Sequence, residues 1–114
     1  MQVLLIDDEA DICSMVAKIL AQKGVECDCS HFVEGAREKL NNRTYQLYLI
    51  DINLPDGTGF ELIPLIYEKD PGARVVIISA HDDQIYKELA ASLGVEDFIR
   101  KPFSKNDILS LIPN

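Results

Sequence analysis

Reactive polar side chains follow four of the short apolar runs in this sequence. Asp7 and Asp8 come directly after the first run, Asp51 after the third, Ser79 after the fourth and Lys101 after the fifth. Carboxylates can ligate a divalent cation or act as nucleophiles, and a lysine supplies a positive charge on a flexible stem. If these residues meet in space, they form a pocket suited to a metal ion and an anionic group.

The elements that must position these residues can be identified from the spacing of apolar side chains. Short apolar runs bounded by Asp, Gly or Ser are typical of fully buried strands, and three occur, at residues 3–6, 47–50 and 75–78. Residues 25–29 alternate between apolar and acidic side chains, which predicts an edge strand with one solvated face. Phe98 and Ile99 predict a shorter fifth strand.

Helical patterns lie between the predicted strands. Apolar residues at helical spacing predict helices over residues 12–20, 33–40, 60–67, 85–93 and about 104–111. Thr58 and Glu61 have capping-box spacing and open the third helix, while Asp56 and Gly57 before it are interpreted as turn residues. Pro64 falls inside the third helix, so we expect it to remove a backbone hydrogen bond and kink the helix.

Strands that alternate with helices predict an α/β fold whose parallel sheet is covered on both faces, because parallel strands need crossover connections. Five such units suggest a small doubly wound (βα)5 fold, and a length of 114 residues predicts a single domain over residues 1–114. Ligands of open parallel sheets bind at the carboxyl ends of the strands, where the polar side chains collect. The second strand ends in Cys29, Ser30 and His31 and is expected to take no part in that site.

The composition is that of a globular protein with an acidic surface. Hydrophobic residues make up 47% and charged residues 26%, which argues against a disordered chain. The 19 acidic and 11 basic residues give a net charge of −8, which disfavours binding to nucleic acid or anionic membranes, since both need clustered Lys and Arg. No apolar run approaches the roughly 20 residues of a membrane helix, and no signal-peptide pattern opens the sequence. We therefore expect a cytoplasmic protein.

Cysteine and histidine residues give little sign of a metal site. Cys13, Cys27 and Cys29 are odd in number and match no zinc-binding spacing, so small buried thiols are the simplest interpretation. His31 and His81 are expected at the surface rather than as ligands.

Four segments of the chain together resemble the receiver domain of bacterial response regulators. They are L-L-I-D-D-E, L-I-D-I-N-L-P-D-G-T-G-F, V-V-I-I-S-A-H and D-F-I-R-K-P-F, which begin at residues 4, 49, 75 and 97. The segments follow the order and spacing of that family and cover essentially the whole chain. The resemblance implies a flavodoxin-like receiver topology with the strand order 2-1-3-4-5.

That strand order places Asp8 and Asp51 on neighbouring strands, about 4.8 Å apart. Two like charges separated by about 5 Å repel by roughly 3 kcal/mol at an effective dielectric of about 20. A Mg²⁺ ion would relieve that repulsion, because it favours carboxylates, waters and phosphate oxygens as ligands. Lys101 lies two strand spacings from Asp51, roughly 10 Å, and its stem can cover most of that distance.

The resemblance implies a role for each of these residues. Asp51 is the implied phosphoacceptor, which takes a phosphoryl group from the phosphohistidine of a sensor histidine kinase or a histidine phosphotransfer protein. Asp8 and Asp51 are implied ligands of Mg²⁺, for which Mn²⁺ could substitute, with Asn53 contributing its backbone carbonyl and Asp7 acting through water. Lys101 and the metal would neutralise charge that repels the incoming phosphoryl group.

A conformational switch is also implied by the resemblance. Ser79 would donate its hydroxyl to the phosphoryl group, and its movement would make room for Phe98 to turn inward. The Lys101–Pro102 peptide bond is implied to be cis. Asn53 and His81, each two residues beyond a site residue, would tune the lifetime of the phosphoryl group.

The implied protein is a signalling domain rather than a free-standing turnover enzyme. Its switch would act through the face formed by the fourth helix, the fifth strand and the fifth helix. That face would control a downstream effector domain or protein, or form a homodimer. No direct contact with nucleic acid or membrane is expected.

Other functions account for fewer of these residues. A haloacid-dehalogenase-type phosphatase needs a second Asp two residues after its nucleophile, where this chain has Asn53. The acids at residues 7–9 would repel the phosphate of a flavodoxin-like FMN carrier, and Pro55 interrupts an EF-hand loop. Those acids could also simply favour a helix N-terminus, and Ser79 and Phe98 could be plain strand residues. A pseudo-receiver, acting only as an unphosphorylated interaction module, is the main alternative.

Overall fold

In a computed structural model of the protein, which describes residues 1–80 and 84–113, the backbone forms a five-stranded parallel sheet. Its strands are β1 (Gln2–Ile6), β2 (Glu26–Ser30), β3 (Leu47–Asp51), β4 (Arg74–Ser79) and β5 (Asp97–Arg100). They lie in the order β2-β1-β3-β4-β5. The predicted doubly wound α/β fold, with its strand order of 2-1-3-4-5, is confirmed.

Helices follow the strands and cover both faces of the sheet. They are α1 (Ala10–Ala21), α2 (Val33–Asn42), α3 (Ile63–Lys69), α4 (Gln84–Ser92) and α5 (Lys105–Leu109). Between β3 and α3, Asn53–Leu54 pair with Gly57–Thr58 in a short antiparallel ladder, and Gly59–Leu62 form a 3₁₀ turn. Among the helices that the structure describes, none has the length and apolar character needed to cross a membrane.

Each face of the sheet carries its own apolar core, because successive side chains of a strand point to opposite faces. On β1, Leu4 and Ile6 belong to the core shared with α2 and α3, whereas Val3 and Leu5 belong to the core shared with α1. Every residue of β3 is buried. Burial on both faces is the reason that the central strands occur in the sequence as uninterrupted apolar runs.

The strand register brings the carboxyl ends of the strands to one edge of the sheet. Asp51 at the end of β3 pairs with Ile78, one residue before the end of β4. Ser79, the last residue of β4, pairs with Arg100, the last residue of β5. Ile6, the last residue of β1, pairs with Ile50 of β3. The residues at the carboxyl ends of β1, β3, β4 and β5 therefore lie at a common edge.

The predicted kink at Pro64 is wrong. The α-helix begins at Ile63, after the 3₁₀ turn, so Pro64 lies in the first turn of α3. The backbone N–H of a first-turn residue has no intrahelical acceptor, and proline is favoured there for that reason. Thr58 and Glu61 do form a capping box, but they cap the 3₁₀ turn rather than an α-helix.

Candidate functional site

Three carboxylates meet at the carboxyl edge of the sheet. Asp7 and Asp8 follow β1, Asp51 ends β3, and one carboxylate oxygen of each lies within 4.8 Å of the others. Asp7 and Asp51 are buried, whereas Asp8 is exposed to solvent. Because β1 and β3 are neighbours in the sheet, the order of the strands brings Asp7 and Asp8 close to Asp51 and assembles this acidic pocket.

Lys101 reaches the acidic pocket from the end of β5. Its Nζ lies 2.9 Å from Asp7 Oδ2 and donates a hydrogen bond of 3.1 Å to Asp51 Oδ2. Burial lowers the pKa of Lys101, but the contacts and charges of Asp7 and Asp51 outweigh it, so that the pKa is raised above its ordinary value. Lys101 is therefore a fixed positive charge between two buried carboxylates.

The phosphoacceptor candidate Asp51 sits in an unfavourable electrostatic environment. Burial raises the pKa of its carboxyl above the ordinary value, and the charge of Asp7 adds to that effect. The hydrogen bond and charge of Lys101 oppose the shift without cancelling it. One ammonium does not compensate three carboxylates, so the pocket has an excess of negative charge that a cation can neutralise.

The donor set of the pocket fits a hard divalent cation. Asp7 Oδ2 is buried and forms an ion pair with Lys101 Nζ at 2.9 Å, but it accepts no hydrogen bond within the described part of the chain. Carboxylate oxygens at this spacing are the ligands that Mg²⁺ favours, with waters completing its octahedron. Asp8 and Asp51 would hold the ion directly, together with the Asn53 backbone carbonyl and Asp7 through water.

The end of β2 supports the acidic pocket, contrary to the prediction that it takes no part. The Asp7 backbone N–H donates to the Ser30 carbonyl at 2.9 Å, because β2 lies beside β1. His31 Nδ1 lies 2.8 Å from the Asp7 carbonyl, a contact that requires a proton on Nδ1. Both contacts fix the backbone of a buried site residue, and both depend on the pairing of β2 with β1, which no local sequence pattern specifies.

Gly59 is a second residue that the sequence alone did not single out. A Cβ atom at this position would overlap the Asp51 backbone carbonyl oxygen and would lie 2.5 Å from Cγ2 of Ile50. The Gly59 N–H also donates to the Ile52 carbonyl at 2.8 Å. The 3₁₀ turn therefore packs directly on the backbone that carries Asp51.

The other predicted site residues that the structure describes are Asn53, Ser79 and Phe98, and they differ in burial and in their contacts. Asn53 is exposed, and its N–H donates to Asp51 Oδ1 at 3.3 Å. Ser79 is buried at the end of β4, where its carbonyl accepts from the Lys101 N–H at 2.8 Å. Phe98 is half-buried on β5 and packs against the core shared with α2 and α3. His81 lies outside the described residues.

The peptide bond between Lys101 and Pro102 is cis, the conformation that the resemblance implies. Lys101 is joined to the sheet by its own N–H, which donates a hydrogen bond to the Ser79 carbonyl.

Comparison with known proteins identifies the family. Residues 3–113 match the response regulator receiver domain, so the chain belongs to that family. It is 35% identical to the transcriptional regulatory protein CssR of Bacillus subtilis (strain 168) over 107 residues, which cover 94% of this chain and 47% of CssR. The predicted membership of the receiver family is confirmed, and the fold that carries the carboxyl-edge pocket is that of a response regulator receiver domain.

Solved receiver structures share the whole architecture. A CheY-like receiver domain protein from Methanospirillum hungatei JF-1 matches with a TM-score of 0.90 at 25% identity, over 96% of this chain and 88% of that one. The beryllofluoride-activated NtrC4 receiver domain dimer matches with a TM-score of 0.87 at 30% identity, over 96% and 90% of the two chains. The chain spans about half the length of the curated relatives it matches.

Proposed function

We propose that this receiver domain accepts a phosphoryl group on Asp51 in a Mg²⁺-dependent transfer from a phosphohistidine. The donor would be a sensor histidine kinase or a histidine phosphotransfer protein. The observation that carries the proposal is the convergence of Asp7, Asp8 and Asp51 within 4.8 Å around one lysine. In this role the chain is a phosphoacceptor in a cytoplasmic signalling pathway rather than a free-standing turnover enzyme.

In the proposed transfer, an oxygen of the Asp51 carboxylate attacks phosphorus as the bond to the histidine nitrogen breaks. Lys101 would stabilise the negative charge that develops during the transfer, since its ammonium already contacts Asp51 Oδ2 and can donate a hydrogen bond to a phosphoryl oxygen. A Mg²⁺ ion held by Asp8, Asp51 and the Asn53 carbonyl would further neutralise the charge of the phosphoryl oxygens. Asp7 holds Lys101 in place through the ion pair on its opposite side.

A protein phosphodonor has an apolar surface to approach beside the pocket. A cleft of about 470 Å³ lies between α1 and the segment after β5 and is lined mainly by apolar side chains, among them Ile12, Met15 and Phe103. Lys101 lines the same cleft, and Met15 is 41% exposed. We propose that a helix of the donor packs in this cleft and brings its histidine to Asp51.

The proposed output is a change at the face formed by α4, β5 and α5. Ser79, which ends the strand beside that of Asp51, would donate its hydroxyl to a phosphoryl group on Asp51. Phe98 lines two surface cavities, of about 440 Å³ and 390 Å³, and its ring is proposed to turn inward when Ser79 moves. Asn53 and His81 are proposed to set the lifetime of the phosphoryl group through access of water.

The α4-β5-α5 face would pass the signal to an effector domain or protein, or to a second copy of the chain. Ile85 and Leu89 of α4 are 70% and 43% exposed, so this helix presents apolar surface to a partner. The activated NtrC4 receiver, which is 30% identical, is a dimer. We propose no direct contact of this domain with nucleic acid or membrane, in keeping with its net charge of −8.

The test is to incubate the protein with Mg²⁺ and phosphoramidate and to measure intact mass. We expect one phosphate on the wild type, none on Asp51→Asn, and none when a chelator replaces Mg²⁺. Asp11→Asn, which removes an exposed acid of α1, is the matched control and should react like the wild type. An adduct that persists on Asp51→Asn would mean that another residue accepts the phosphoryl group. A wild type that does not react would favour the pseudo-receiver.

A further inference from the structure

The segment between β3 and α3 forms a small hairpin beside the acidic pocket. Asn53–Leu54 pair with Gly57–Thr58, which leaves two residues at the tip, the second of them Asp56. The Asn53 N–H donates to Asp51 Oδ1 at 3.3 Å, and the Asn53 backbone carbonyl is an implied ligand of Mg²⁺. The position of the hairpin therefore determines where one of the metal ligands lies.

The tip of the hairpin is bound to helix α2 by a single carboxylate. Asp56 Oδ1 accepts a hydrogen bond from the Val33 N–H at 2.7 Å, and Asp56 Oδ2 accepts one from the Glu34 N–H at 3.1 Å. Both N–H groups belong to the first turn of α2, where backbone donors have no intrahelical acceptor. A negative charge at a helix N-terminus also interacts favourably with the helix dipole. Two bonds from one carboxylate thus hold the tip against the end of α2.

Helix α2 has no capping side chain of its own. Its N-cap residue is Phe32, which has the extended backbone of an N-cap but no side-chain oxygen that could accept a hydrogen bond. The residues that usually cap a helix from this position are Ser, Thr, Asp and Asn. The first two N–H groups of α2 instead bond to Asp56, which is 22 and 23 residues away in the sequence. The contact therefore serves the helix and the hairpin at the same time.

A second contact between this loop and α2 is weaker. Arg37 Nη2 on α2 lies 3.6 Å from Glu61 Oε1, and Glu61 Oε2 accepts a hydrogen bond from the Thr58 N–H at 2.8 Å. The side chains of Arg37 and Glu61 are 39% and 46% exposed, and exposed ion pairs contribute little to stability. Of these two links, the Asp56 carboxylate is therefore the stronger.

We propose that Asp56 is a positioning residue of the metal site, which fixes the hairpin on α2 and with it the backbone carbonyl of Asn53. The ladder of the hairpin has only two residue pairs, and isolated two-stranded hairpins are at best marginally stable. The Gly59 N–H bond to the Ile52 carbonyl holds the base of the hairpin, so losing Asp56 would release the tip. Mg²⁺ demands near-ideal octahedral geometry, so a displaced carbonyl weakens binding. The inference rests on the proposed Mg²⁺-dependent function.

The test measures Mg²⁺ affinity separately from stability. Amide NMR shifts during titration with MgCl₂ at constant ionic strength give the dissociation constant, and urea unfolding in a chelator gives the stability. We expect Asp56→Ala to bind Mg²⁺ about tenfold more weakly than the wild type, the lower end of the usual loss when a residue that orients a metal ligand is removed. Asp70→Ala is the matched control, because Asp70 also accepts a backbone N–H but lies between α3 and β4, and it should bind Mg²⁺ like the wild type.

A double variant separates positioning of the hairpin from stabilisation of α2. In Asp56→Ala/Phe32→Ser, the new hydroxyl can cap α2 locally, and Phe32 is 51% exposed, so the substitution removes little packing. We expect its stability to recover toward that of the wild type, whereas its Mg²⁺ affinity should stay about tenfold weaker, because the hairpin tip is still unbound. Recovery of both quantities would overturn the proposal, since Asp56 would then act only through the stability of α2.

Asp56→Asn separates positioning from charge. It removes the negative charge but keeps an oxygen that can accept from the Val33 N–H, so it should bind Mg²⁺ more tightly than Asp56→Ala does. An equal loss in the two variants would assign the effect to charge and overturn the proposal. Wild-type affinity in Asp56→Ala would overturn the positioning role alone, whereas a wild type that shows no saturable Mg²⁺ binding would overturn the proposed Mg²⁺-dependent function as well.

Discussion

Lys101 is held between two carboxylates that would repel each other in its absence. Its side chain is 13% exposed, and its Nζ is within 3.1 Å of both Asp7 and Asp51. Removing one partner from a buried ion pair leaves an uncompensated charge, which is far more destabilising than losing a surface pair. Neutralising Lys101 and neutralising Asp51 should therefore change the free energy of unfolding in opposite directions.

We predict that Lys101→Met lowers the free energy of unfolding of the metal-free protein by about 3 kcal/mol, because it leaves two buried carboxylates without a compensating positive charge. Asp51→Asn should instead raise it by about 1 kcal/mol, because it removes a carboxylate that burial and Asp7 disfavour. Urea unfolding in a chelator measures both. Lys105→Met, at an exposed position on α5, is the control for Lys101→Met and should change stability little.

The pH dependence of the Asp51→Asn effect follows from the direction of the Asp51 shift. A raised pKa means that folded Asp51 holds its proton more tightly than the unfolded chain does, so folding loses stability as pH rises from the unfolded pKa through the folded one. The advantage of Asp51→Asn should therefore be absent well below about pH 4 and complete above the folded pKa. An advantage that grows toward acid would contradict the assigned cause.

Residues that bear charge at strand ends could be predicted from the sequence, whereas residues that act on backbone atoms could not. Asp7, Asp51 and Lys101 each end or follow an apolar run, and the structure brings their charged groups together. His31 and Gly59 contact the backbone carbonyls of Asp7 and Asp51. Those contacts exist only after β2 pairs with β1 and the 3₁₀ turn folds against β3, so no local sequence pattern encodes them.

The 3₁₀ turn is the element whose packing on β3 most directly positions Asp51. We predict that Gly59→Ala lowers the free energy of unfolding by about 1–3 kcal/mol, because its methyl group meets backbone atoms that cannot move independently. Gly35→Ala is the matched control: its methyl group would lie 3.8 Å from Ser30 Oγ, in ordinary contact. In helix α2 this substitution should stabilise by about 0.5 kcal/mol.

Urea unfolding measures both glycine variants, and phosphoramidate labelling reports on the site. Because the added methyl group displaces the Asp51 backbone, Gly59→Ala should also slow phosphate incorporation, whereas Gly35→Ala should not. Equal stability of the two variants would mean that the turn can move away from β3 without cost, and Gly59 would then have no role in positioning Asp51.

At the scale of elements, the sequence predicted where helices and strands occur better than how they begin and contact each other. Pro64 lies in a first turn rather than inside a helix, because the residues before it form a 3₁₀ turn. Asp56, interpreted as a turn residue, accepts from the N–H groups of Val33 and Glu34 at 2.7 and 3.1 Å and so caps α2. The bonds to these N–H groups lower the pKa of Asp56. Asp56 and Glu34 are 22 residues apart in the sequence, so this cap can be recognised only in the folded structure.

For the whole molecule, alternation of strands and helices predicted a parallel sheet covered on both faces, but the strand order came from the family resemblance. Right-handed crossovers are compatible with several orders of five strands. The order decides the chemistry, because Asp8 and Asp51 approach each other only when β1 and β3 are neighbours. The pattern of apolar residues therefore predicts a sheet between two layers of helices. It does not predict the strand order, on which the acidic pocket depends.

The charge of the whole molecule leads to a prediction about magnesium. The net charge is −8, and two of the acids that contribute to it, Asp7 and Asp51, are buried in the acidic pocket. We predict that Mg²⁺ raises the free energy of unfolding of the wild type, by about 2.7 kcal/mol at a concentration 100 times its dissociation constant, because the ion binds the folded pocket and not the unfolded chain. Urea unfolding with and without Mg²⁺, at equal ionic strength set by KCl, measures the gain.

Two variants separate pocket binding from general screening of the acidic surface. Asp8→Asn removes an implied ligand and should lose most of the magnesium gain, whereas Asp11→Asn removes an exposed acid outside the pocket and should keep it. Monovalent salt screens exposed charges but does not bridge carboxylates, so KCl alone should not reproduce the gain. An equal gain in Asp8→Asn, or one matched by KCl, would assign the stabilisation to the surface and leave the pocket without a metal.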